Sequence, residues 1–493
     1  MPTTGDIRNK IIPQDAKMSF SLTEPQWSAW CSAFYESSLN RLAQNVCTAR
    51  DPIAVSLRSE ADLCSAPTGV KTWQEIGPQG KATTGGPGWI CTGLDLLRQE
   101  MDRKMPLPLD FELSAAHLFF WHKLERCNYF LWTVADLLMR CEPLDGRCFR
   151  NFMKNAVPDG GNWQMFVSLV KKYGVMPKKC YLSTQRTQKM NLILKSKLRE
   201  YASMLHAQFT FNGNGCHLPD LIQEMIPHLF NVICICLGEP PKVFNWSFYD
   251  HKKRYQCLND LTAVHFYEVM VGCTVSLDAF VCLGHDPRIS SSYQSNYQVT
   301  HSSNMMGGEP HRYNNQSMDV IMPIIVDSLV GDKPVWLACD LRRAISSKSA
   351  AFSLRSHKFD LLFGFHVGES LSKAERLKYK ESRRDAALLL TSVGLDAMKQ
   401  PLQFRTINAS LMGESSSTGS LTEQDKDQKD TAEALKKKSA KSLGNKLDAE
   451  WLREYAFEIV VHEKFVPPAV LHAARIPKWK AVPAWDPMGA LLN

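Results

Sequence analysis

The sequence predicts an α+β protein with a mostly antiparallel sheet. Residues 1–240 carry long stretches of helical periodicity, whereas residues 241–493 carry short β-prone runs that are separated by turns. Helices that precede a group of strands are typical of α+β domains. With 493 residues, the chain is long enough for one large core or for two to three domains.

The first helix of the core is predicted at residues 89–101. A turn rich in glycine and proline, at residues 85–88, leads into it. Its apolar residues have the spacing of one helical face, at Ile90, Leu94, Leu97 and Met101.

Further helices are predicted on both sides of a loop at residues 159–162. Residues 111–140 are apolar and aromatic enough for one or two core helices, and residues 163–172 repeat the helical pattern. Residues 189–237 are also helical, which suggests a helical insertion within the domain.

Strands are predicted in the second half of the chain from short β-prone runs between turns. These runs lie at residues 269–275, 334–339, 361–367 and 457–461.

A segment at residues 414–446 is predicted to be a disordered insertion. It consists mainly of Ser, Thr, Gly, Asp, Gln, Lys and Ala, so it cannot bury enough apolar surface to offset the entropy of ordering it. The three lysines at 436–438 fit an anionic partner, although a solvated charge run is the more common case.

Composition and charge exclude some classes of protein. No apolar run reaches the length of a membrane span, and the polar residues 1–17 lack the features of a secretory signal. The 15 cysteines form no C-x-x-C pair, so neither a zinc ribbon nor a thioredoxin-type motif is indicated. No metal and no cofactor is predicted. We expect reduced thiols and a cytoplasmic location. The net charge of +8 is compatible with an anionic partner but does not select one.

Eight short segments, in order along the chain, resemble segments of one protein family. They are FFWHKLERC at 119–127, DGGNW at 159–163, KYGVMPKKC at 172–180, CICLG at 234–238, NMMGG at 304–308, YNNQ at 313–316, KAERL at 373–377 and PAWDPMGAL at 483–491. Together they resemble the bleomycin hydrolase family of papain-like cysteine aminopeptidases. The turn GPGWI at 86–90 has the shape of the family's nucleophile turn, Gly-x-Cys-Trp-x, with Gly88 in place of the cysteine.

The resemblance implies a papain-like fold with an inserted helical hook and a C-terminal arm. Residues 1–184 would form the mainly helical part of the core and residues 185–240 the hook. Residues 241–493 would form the sheet-rich part, which contains the 414–446 insertion and the arm at 483–493. In the family, hooks and arms build a hexamer with active sites facing an inner channel, which implies a homo- or hetero-oligomer.

The chemistry of such a peptidase needs four parts. A thiol at a helix N-terminus attacks, a histidine holds its proton, an asparagine orients the histidine, and a glutamine helps to hold the oxyanion. The resemblance carries the thiol to Gly88, the glutamine to Ala82 and the histidine to Ala386. The asparagine is retained as Asn408, but the tryptophan that shields it in the family is missing. Three of the four parts are therefore expected to be absent.

Three nearby residues are candidates for a substitute chemistry. Cys91 lies three residues into the predicted helix, about 4.5 Å further along the axis and rotated by about 60° from Gly88. A buried helix cysteine is its more common role. His357 and His366 precede the lost histidine, but a lone histidine beside a strand is more often structural.

A peptide cleft is predicted from the pair Gly160 and Gly161. In the papain-like pattern, such a pair lets the substrate backbone approach and add as a strand. A purely structural role in a tight loop explains the two glycines equally well. In the family, the arm lies in this cleft and its terminal carboxylate, here that of Asn493, meets the substrate's amino group.

Three functions remain open from the sequence. The first is an inactive homologue, or pseudoenzyme, that acts as scaffold, assembly partner or peptide binder. The second is a residual cysteine aminopeptidase that uses Cys91. The third is a nucleic-acid binder with a basic channel.

Overall fold

The structure, a computed structural model, describes most of the chain. The described residues are 21–57, 70–76, 83–84, 86–104, 107–108, 110–182, 187–213, 215–250, 253–273, 275–341, 351–367, 370–407 and 445–492. They fall into two compact units, one within Met1–Ser59 and Arg355–Ser370 and the other within Glu60–Leu354 and Leu371–Asn493.

Helices are numbered in chain order over both units. Those of the small unit are α1 (Glu24–Glu36), α2 (Ser38–Ala49), α3 (Pro52–Ser56) and α12 (Phe359–Phe363). Those of the large unit are α4 (Gly88–Lys104), α5 (Ala115–Met139), α6 (Arg147–Lys154), α7 (Trp163–Tyr173), α8 (Thr187–Asn212), α9 (Leu218–Leu237), α10 (Ala263–Tyr267), α11 (Met318–Val330), α13 (Lys373–Lys378), α14 (Ala449–Tyr455) and α15 (Pro468–Arg475).

The strands all belong to the large unit. They are β1 (Thr72–Glu75), β2 (Phe244–Tyr249), β3 (Tyr255–Leu261), β4 (Phe280–Gly284), β5 (Ser295–Val299), β6 (Arg312–Asn315), β7 (Val335–Cys339), β8 (Ala351–Phe352), β9 (Ala386–Leu395), β10 (Pro401–Ile407), β11 (Asn445–Asp448), β12 (Ala456–His462) and β13 (Trp479–Val482).

Eleven of the described strands form one mixed sheet. Its order is β13-β5-β6-β4-β12-β7-β9-β10-β11-β8, with β1 pairing to the second half of β9. Most neighbours are antiparallel, and the parallel pairs are β13 with β5, β4 with β6 and β11 with β8. The predicted α+β class with a mostly antiparallel sheet is confirmed.

The sheet separates two apolar cores, because successive side chains of β9 pack into one core and then the other. Ala387 and Leu389 pack into the core that contains α4, α5 and α7, whereas Leu388 and Leu390 pack into the core that contains α11. Because successive side chains of a strand point to opposite faces, a strand buried on both sides has no polar alternation. This explains the continuous apolar run of β9.

Local signals fix the helices around the cleft. Asn162 caps α7, and its side chain accepts a hydrogen bond from the backbone N–H of Met165 at 2.9 Å. The helix ends at Gly174, whose φ of +65° suits glycine, and a Cβ there would lie 2.1 Å from the carbonyl oxygen of Ala263. The end of helix α7 thereby lies against Ala263, the first residue of α10.

The helical predictions of the first half are confirmed. Residues 111–140 contain the single helix α5, and residues 189–237 contain the pair α8 and α9. The four residues predicted to share one face of α4 are all fully buried.

Two strand predictions are wrong. At 269–275 the chain forms a π-helical turn, Glu268–Gly272, in which the adjacent residues Met270 and Val271 are both buried, without the alternation of a half-buried strand. At 361–367 the chain contains the end of α12, which stops at Gly364 in the left-handed conformation. In both places side-chain packing or a helix cap outweighs the β propensity.

The predicted insertion at 414–446 lies almost entirely outside the described residues, which resume at 445 with β11. Helix α9 is, contrary to expectation, long and apolar enough by composition to cross a membrane. Its buried residues nevertheless recur every three to four positions, at Leu218, Ile222, Met225, Leu229, Ile233 and Leu237. Such a stripe is typical of a helix that packs against a protein core.

Candidate active-site cleft

The N-terminus of α4 is the position at which a papain-type thiol would lie. Gly88 is the first residue of the helix and is buried. The preceding Pro87 accepts hydrogen bonds through its carbonyl oxygen from the N–H groups of Ile90 and Cys91, both at 3.0 Å. A helix N-terminus favours negative charge, but glycine has no side chain that could carry it.

Two buried carboxylates anchor the loop before this helix. Asp95 accepts from the backbone N–H of Thr83 at 2.8 Å, and Glu112 accepts from the backbone and hydroxyl of Thr84. Burial raises the pKa of Asp95 to about 7, although the hydrogen bonds from Thr83 oppose the shift. Ala82, the expected oxyanion position, lies outside the described residues.

The resemblance assigns the family's histidine to Ala386, the first residue of β9. Ala386 pairs with Cys339 of β7, and its methyl group carries no proton-transfer chemistry. The hydroxyl of Thr92, one turn after Gly88, donates to the carbonyl oxygen of Ala387 at 3.1 Å. The structure therefore brings the start of α4 close to the start of β9. Asn408 lies outside the described residues.

Cys91 has the properties of a structural thiol. It is 2% exposed, and its Sγ donates to the carbonyl oxygen of Gly86 at 3.4 Å. Burial, and next the charge of Asp95, raise the pKa of the thiol to about 12. A reactive cysteine needs the opposite shift, because the thiolate is the nucleophile.

The two candidate histidines both belong to the small unit. The ring Nδ1 of His357 lies 3.0 Å from the hydroxyl of Ser56, and the backbone N–H of Lys358 donates to the carbonyl oxygen of Ser56 at 2.7 Å. His366 lies shortly after α12 in the same unit.

The predicted peptide edge is paired with the protein's own C-terminus. Gly161 donates through its N–H to the carbonyl oxygen of Leu492 at 2.9 Å, and Leu492 donates back at 2.9 Å. Leu492 is fully buried. A Cβ on Gly160 would lie 2.8 Å from the Leu492 oxygen, and one on Gly161 would lie 2.5 Å from the ring of Trp89. A side chain at Gly160 would thus collide with the tail, and one at Gly161 would collide with Trp89. Asn493 lies outside the described residues.

Two arginines hold the rest of the C-terminal arm, residues 483–492. Arg384 donates through Nε to the carbonyl oxygen of Ala490 at 3.0 Å and through its backbone N–H to that of Pro487 at 3.3 Å. Arg288 makes two hydrogen bonds to the carboxylate of Asp486, at 2.8 and 3.0 Å. The two-pronged geometry fixes orientation as well as position.

Arg384 also belongs to a fully buried polar cluster. Its Nη1 lies 2.9 Å from Oε2 of Glu458 and 2.8 Å from Nε2 of His311. The amide nitrogen of Gln164 donates to the carbonyl oxygen of Arg312, so its Oε1 is the acceptor that faces His311. The Nδ1 of His311 lies 2.8 Å from this oxygen and therefore carries a proton, which it donates. Burial, and next the charge of Arg384, lower the pKa of His311. Oε2 of Glu458 also lies 2.9 Å from Nε2 of His311, so this carboxylate contacts both Arg384 and His311.

Sequence reasoning missed this cluster. The only available signal was the charged run Arg383, Arg384, Asp385, which leads directly into a buried strand. Such a run is usually solvated, and the distant partners His311 and Glu458 are joined to it only by the fold.

No group of three or more potential metal ligands occurs among the described residues. All the cysteines in the described part of the chain are free thiols, including Cys282 and Cys339 in the core.

Comparisons with known proteins match most of the chain to one family of peptidases. The model of the Peptidase C1-like family matches residues 21–430 and 436–489. Human bleomycin hydrolase is 33% identical over 462 residues, which cover 91% of this chain and 94% of the human protein. Aminopeptidase C of Listeria monocytogenes is 28% identical over 82% of this chain and 84% of its own length. The crystal structure of PepW from Lactobacillus rhamnosis HN001 superposes with a TM-score of 0.82 at 24% identity, covering 96% of this chain and all of PepW.

Proposed function

Because the chain belongs to the Peptidase C1-like family, with bleomycin hydrolase and aminopeptidase C among its relatives, we propose that it is an inactive member that serves as a scaffold or assembly partner. The observation that carries this proposal is Gly88 at the buried start of α4. An acyl-enzyme needs a nucleophile at that place, and glycine provides none.

The surroundings of Gly88 support the same conclusion. Ala386 offers no base, and Cys91 is buried with a raised pKa. A thiol with a pKa of about 12 is almost entirely protonated at neutral pH, so its thiolate fraction is on the order of 10⁻⁵. The alternative of a residual cysteine aminopeptidase at Cys91 is therefore disfavoured on electrostatic grounds.

The paired tail favours a scaffold over a peptide binder at the glycine edge. A peptide that added as a strand to Gly161 would compete with Leu492 for both backbone hydrogen bonds. It would also have to expose the buried side chain of Leu492. Burial of such a side chain contributes about 1.5–3 kcal/mol, which a competing peptide must offset.

Exposed apolar side chains on α8 and α9 support an assembly role. Phe211 is 88% exposed and Ile235 is 84% exposed, and Leu192 and Ile193 are also exposed. If these groups form a contiguous patch, that patch is a surface for binding another protein. We include in this proposal that the partner is a second copy of the chain or an active relative, in the reducing cytoplasm.

Hydrolysis of fluorogenic aminoacyl-amide substrates tests the loss of chemistry. The wild type and Cys91→Ala should give equal rates, no higher than that of buffer, while an active bleomycin hydrolase serves as positive control. Turnover that Cys91→Ala abolishes would replace the proposal by the aminopeptidase alternative.

Native mass measurement tests the assembly role. The wild type should run as an oligomer, and Phe211→Ser together with Ile235→Ser should shift it to smaller species. Leu361→Ser with Met398→Ser, which alters two equally exposed positions, is the matched control. A monomeric wild type that captures no active relative would refute the assembly role.

A further inference from the structure

A cavity of about 560 Å³ lies against the C-terminal arm. We call it the arm cavity. Its walls are the arm itself, the last turn of α6, Gly160 with its neighbours, and the segment 380–385 that leads into β9. The volume falls in the range of about 300–1,000 Å³ that is usual for ligand pockets.

A buried arginine without a carboxylate partner lines this cavity. Arg126 of α5 is only 6% exposed. Its Nη1 donates to the carbonyl oxygen of Ser303 at 2.6 Å, but its buried Nε has no hydrogen-bond partner, and no carboxylate lies within ion-pair distance among the described residues. The guanidinium also lies over the ring of Tyr129, 5.3 Å from its centroid. Burial of a charge that has no counter-ion is costly, so an anion in the cavity would stabilise Arg126.

Three further cations line the same cavity. They are the exposed side chains of Lys154, Lys380 and Arg383. Within the described part of the chain, none of the three makes an ion pair. Their charges surround the space that Arg126 faces, so the cavity concentrates positive potential.

The carboxylates of the cavity wall are already engaged. Asp159 pairs with Lys123, Asp486 pairs with Arg288, and Asp385 accepts from a backbone amide at 2.9 Å. Lys123 thus offsets the charge of Asp159, while Arg288 is shared between Asp486 and the buried Asp286. The four cations remain for a ligand.

We propose that the arm cavity binds an acidic peptide segment, whose carboxylates pair with Arg126, Lys154 and Arg383. The walls favour a peptide over a simple inorganic anion, because Phe152, Trp485 and Leu491 add apolar surface that phosphate cannot use. This inference deepens the proposed function: a chain that does not cleave peptides holds an acidic segment of its partner beside the closed cleft.

Calorimetric titration with a short acidic probe tests this site. N-acetyl-Glu-Glu-Glu-amide should bind saturably at low ionic strength, and its Gln-Gln-Gln counterpart should not. Raising the salt from about 0.05 M to about 0.5 M should weaken the binding at least tenfold, since exposed charges are screened. Binding of inorganic phosphate with no binding of the glutamate peptide would overturn the assignment to a peptide.

Matched charge variants separate the site from the overall basic charge. Lys154→Gln with Arg383→Gln should weaken binding about tenfold or more, since each tenfold corresponds to about 1.4 kcal/mol. Lys189→Gln with Lys242→Gln removes the same charge at exposed positions outside the cavity and should change binding less than about twofold. Equal losses in both double variants would overturn the proposal.

Arg126→Met tests the buried cation. Binding should be lost, and the thermal midpoint should not fall, because the variant removes an unpaired buried charge. Retained binding would contradict the role of Arg126. If this variant is too unstable to purify, the exposed pair Lys154 and Arg383 still decides the outcome.

Different results would refute the proposed binding site and the proposed inactivity. Peptide hydrolysis by a protein that still binds the acidic probe would refute inactivity alone. An inactive protein that shows no saturable binding would refute the site alone.

Discussion

At the scale of single residues, buried ionisable groups hold the region around the cleft together. Asp95 lies within α4 and holds Thr83, while Arg384 and Glu458 form a pair below the arm. A buried ion pair tolerates the loss of one partner poorly, because the other charge is left without compensation. Substitutions of these residues should therefore change the free energy of unfolding.

Asp95 predicts an unusual pH dependence of stability. Its pKa is about 7 in the folded protein and 3.8 as a free side chain, so the folded state binds more protons between these values. The free energy of unfolding should fall as the pH rises through that window, by up to about 4 kcal/mol above pH 7.

Asp95→Asn should remove this dependence, because the amide still accepts from Thr83 but carries no charge. Urea denaturation should find the variant about 2–4 kcal/mol more stable than the wild type at pH 8 and of equal stability near pH 4. Asp319→Asn, an exposed control, should leave the pH profile of the wild type unchanged. If the free energy of unfolding of Asp95→Asn changed with pH in parallel with that of the wild type, Asp95 would not be a buried carboxyl that is protonated in the folded state.

Arg384 and Glu458 should behave as a coupled pair. Arg384→Met and Glu458→Met should each lower the free energy of unfolding by about 3–5 kcal/mol, and the double variant should lose less than the sum. Denaturation of the four proteins measures this coupling, and strict additivity would show that the pair does not interact.

At the scale of elements, the arm and the glycine loop form one structural unit. Leu492 adds to Gly161 as a single β-bridge, and Arg384 at the start of β9 holds Ala490. The cleft is thus closed by the end of the same chain, through contacts with three different parts of the sequence.

Gly160→Ala should loosen this closure. The new Cβ would lie 2.8 Å from the Leu492 oxygen and 2.9 Å from Cβ of Leu491, so the tail must move. Digestion by carboxypeptidase should accelerate about tenfold, because cleavage follows the population of the released tail. Gly272→Ala, where the nearest atom lies 3.7 Å from the new Cβ, is the control. Equal digestion of both variants would mean that the tail is held elsewhere.

The sequence predicted the helices around this unit because their signals are local. Apolar periodicity predicted α4, and the Asp-Gly-Gly-Asn loop predicted the start of α7. The resemblance to a family predicted the arm. The Arg384 cluster and the Arg126 cavity could not be predicted, because each joins residues more than 70 positions apart, which only the fold brings together.

At the scale of the whole molecule, the chain has the fold of its peptidase family, and our proposal is that the positions of the family's chemistry have changed. The two cores on either side of the sheet still place the start of α4 against the start of β9. Packing residues and catalytic residues respond to different constraints, so one set can persist without the other.

The paired tail affects how a hydrolysis assay of the intact protein is interpreted. A cleft that is closed by Leu492 would show no hydrolysis even if some chemistry remained behind it. Lost chemistry and a blocked entrance therefore give the same result in the intact protein.

Hydrolysis of aminoacyl amides by a variant that lacks residues 491–493 separates the two cases. Its fold is first checked against the full-length chain by denaturation. The opened cleft should turn over no substrate, because neither Gly88 nor Ala386 can take part in the reaction. Turnover by the truncated form, absent from the full-length chain, would contradict it and show a working peptidase closed by its own tail.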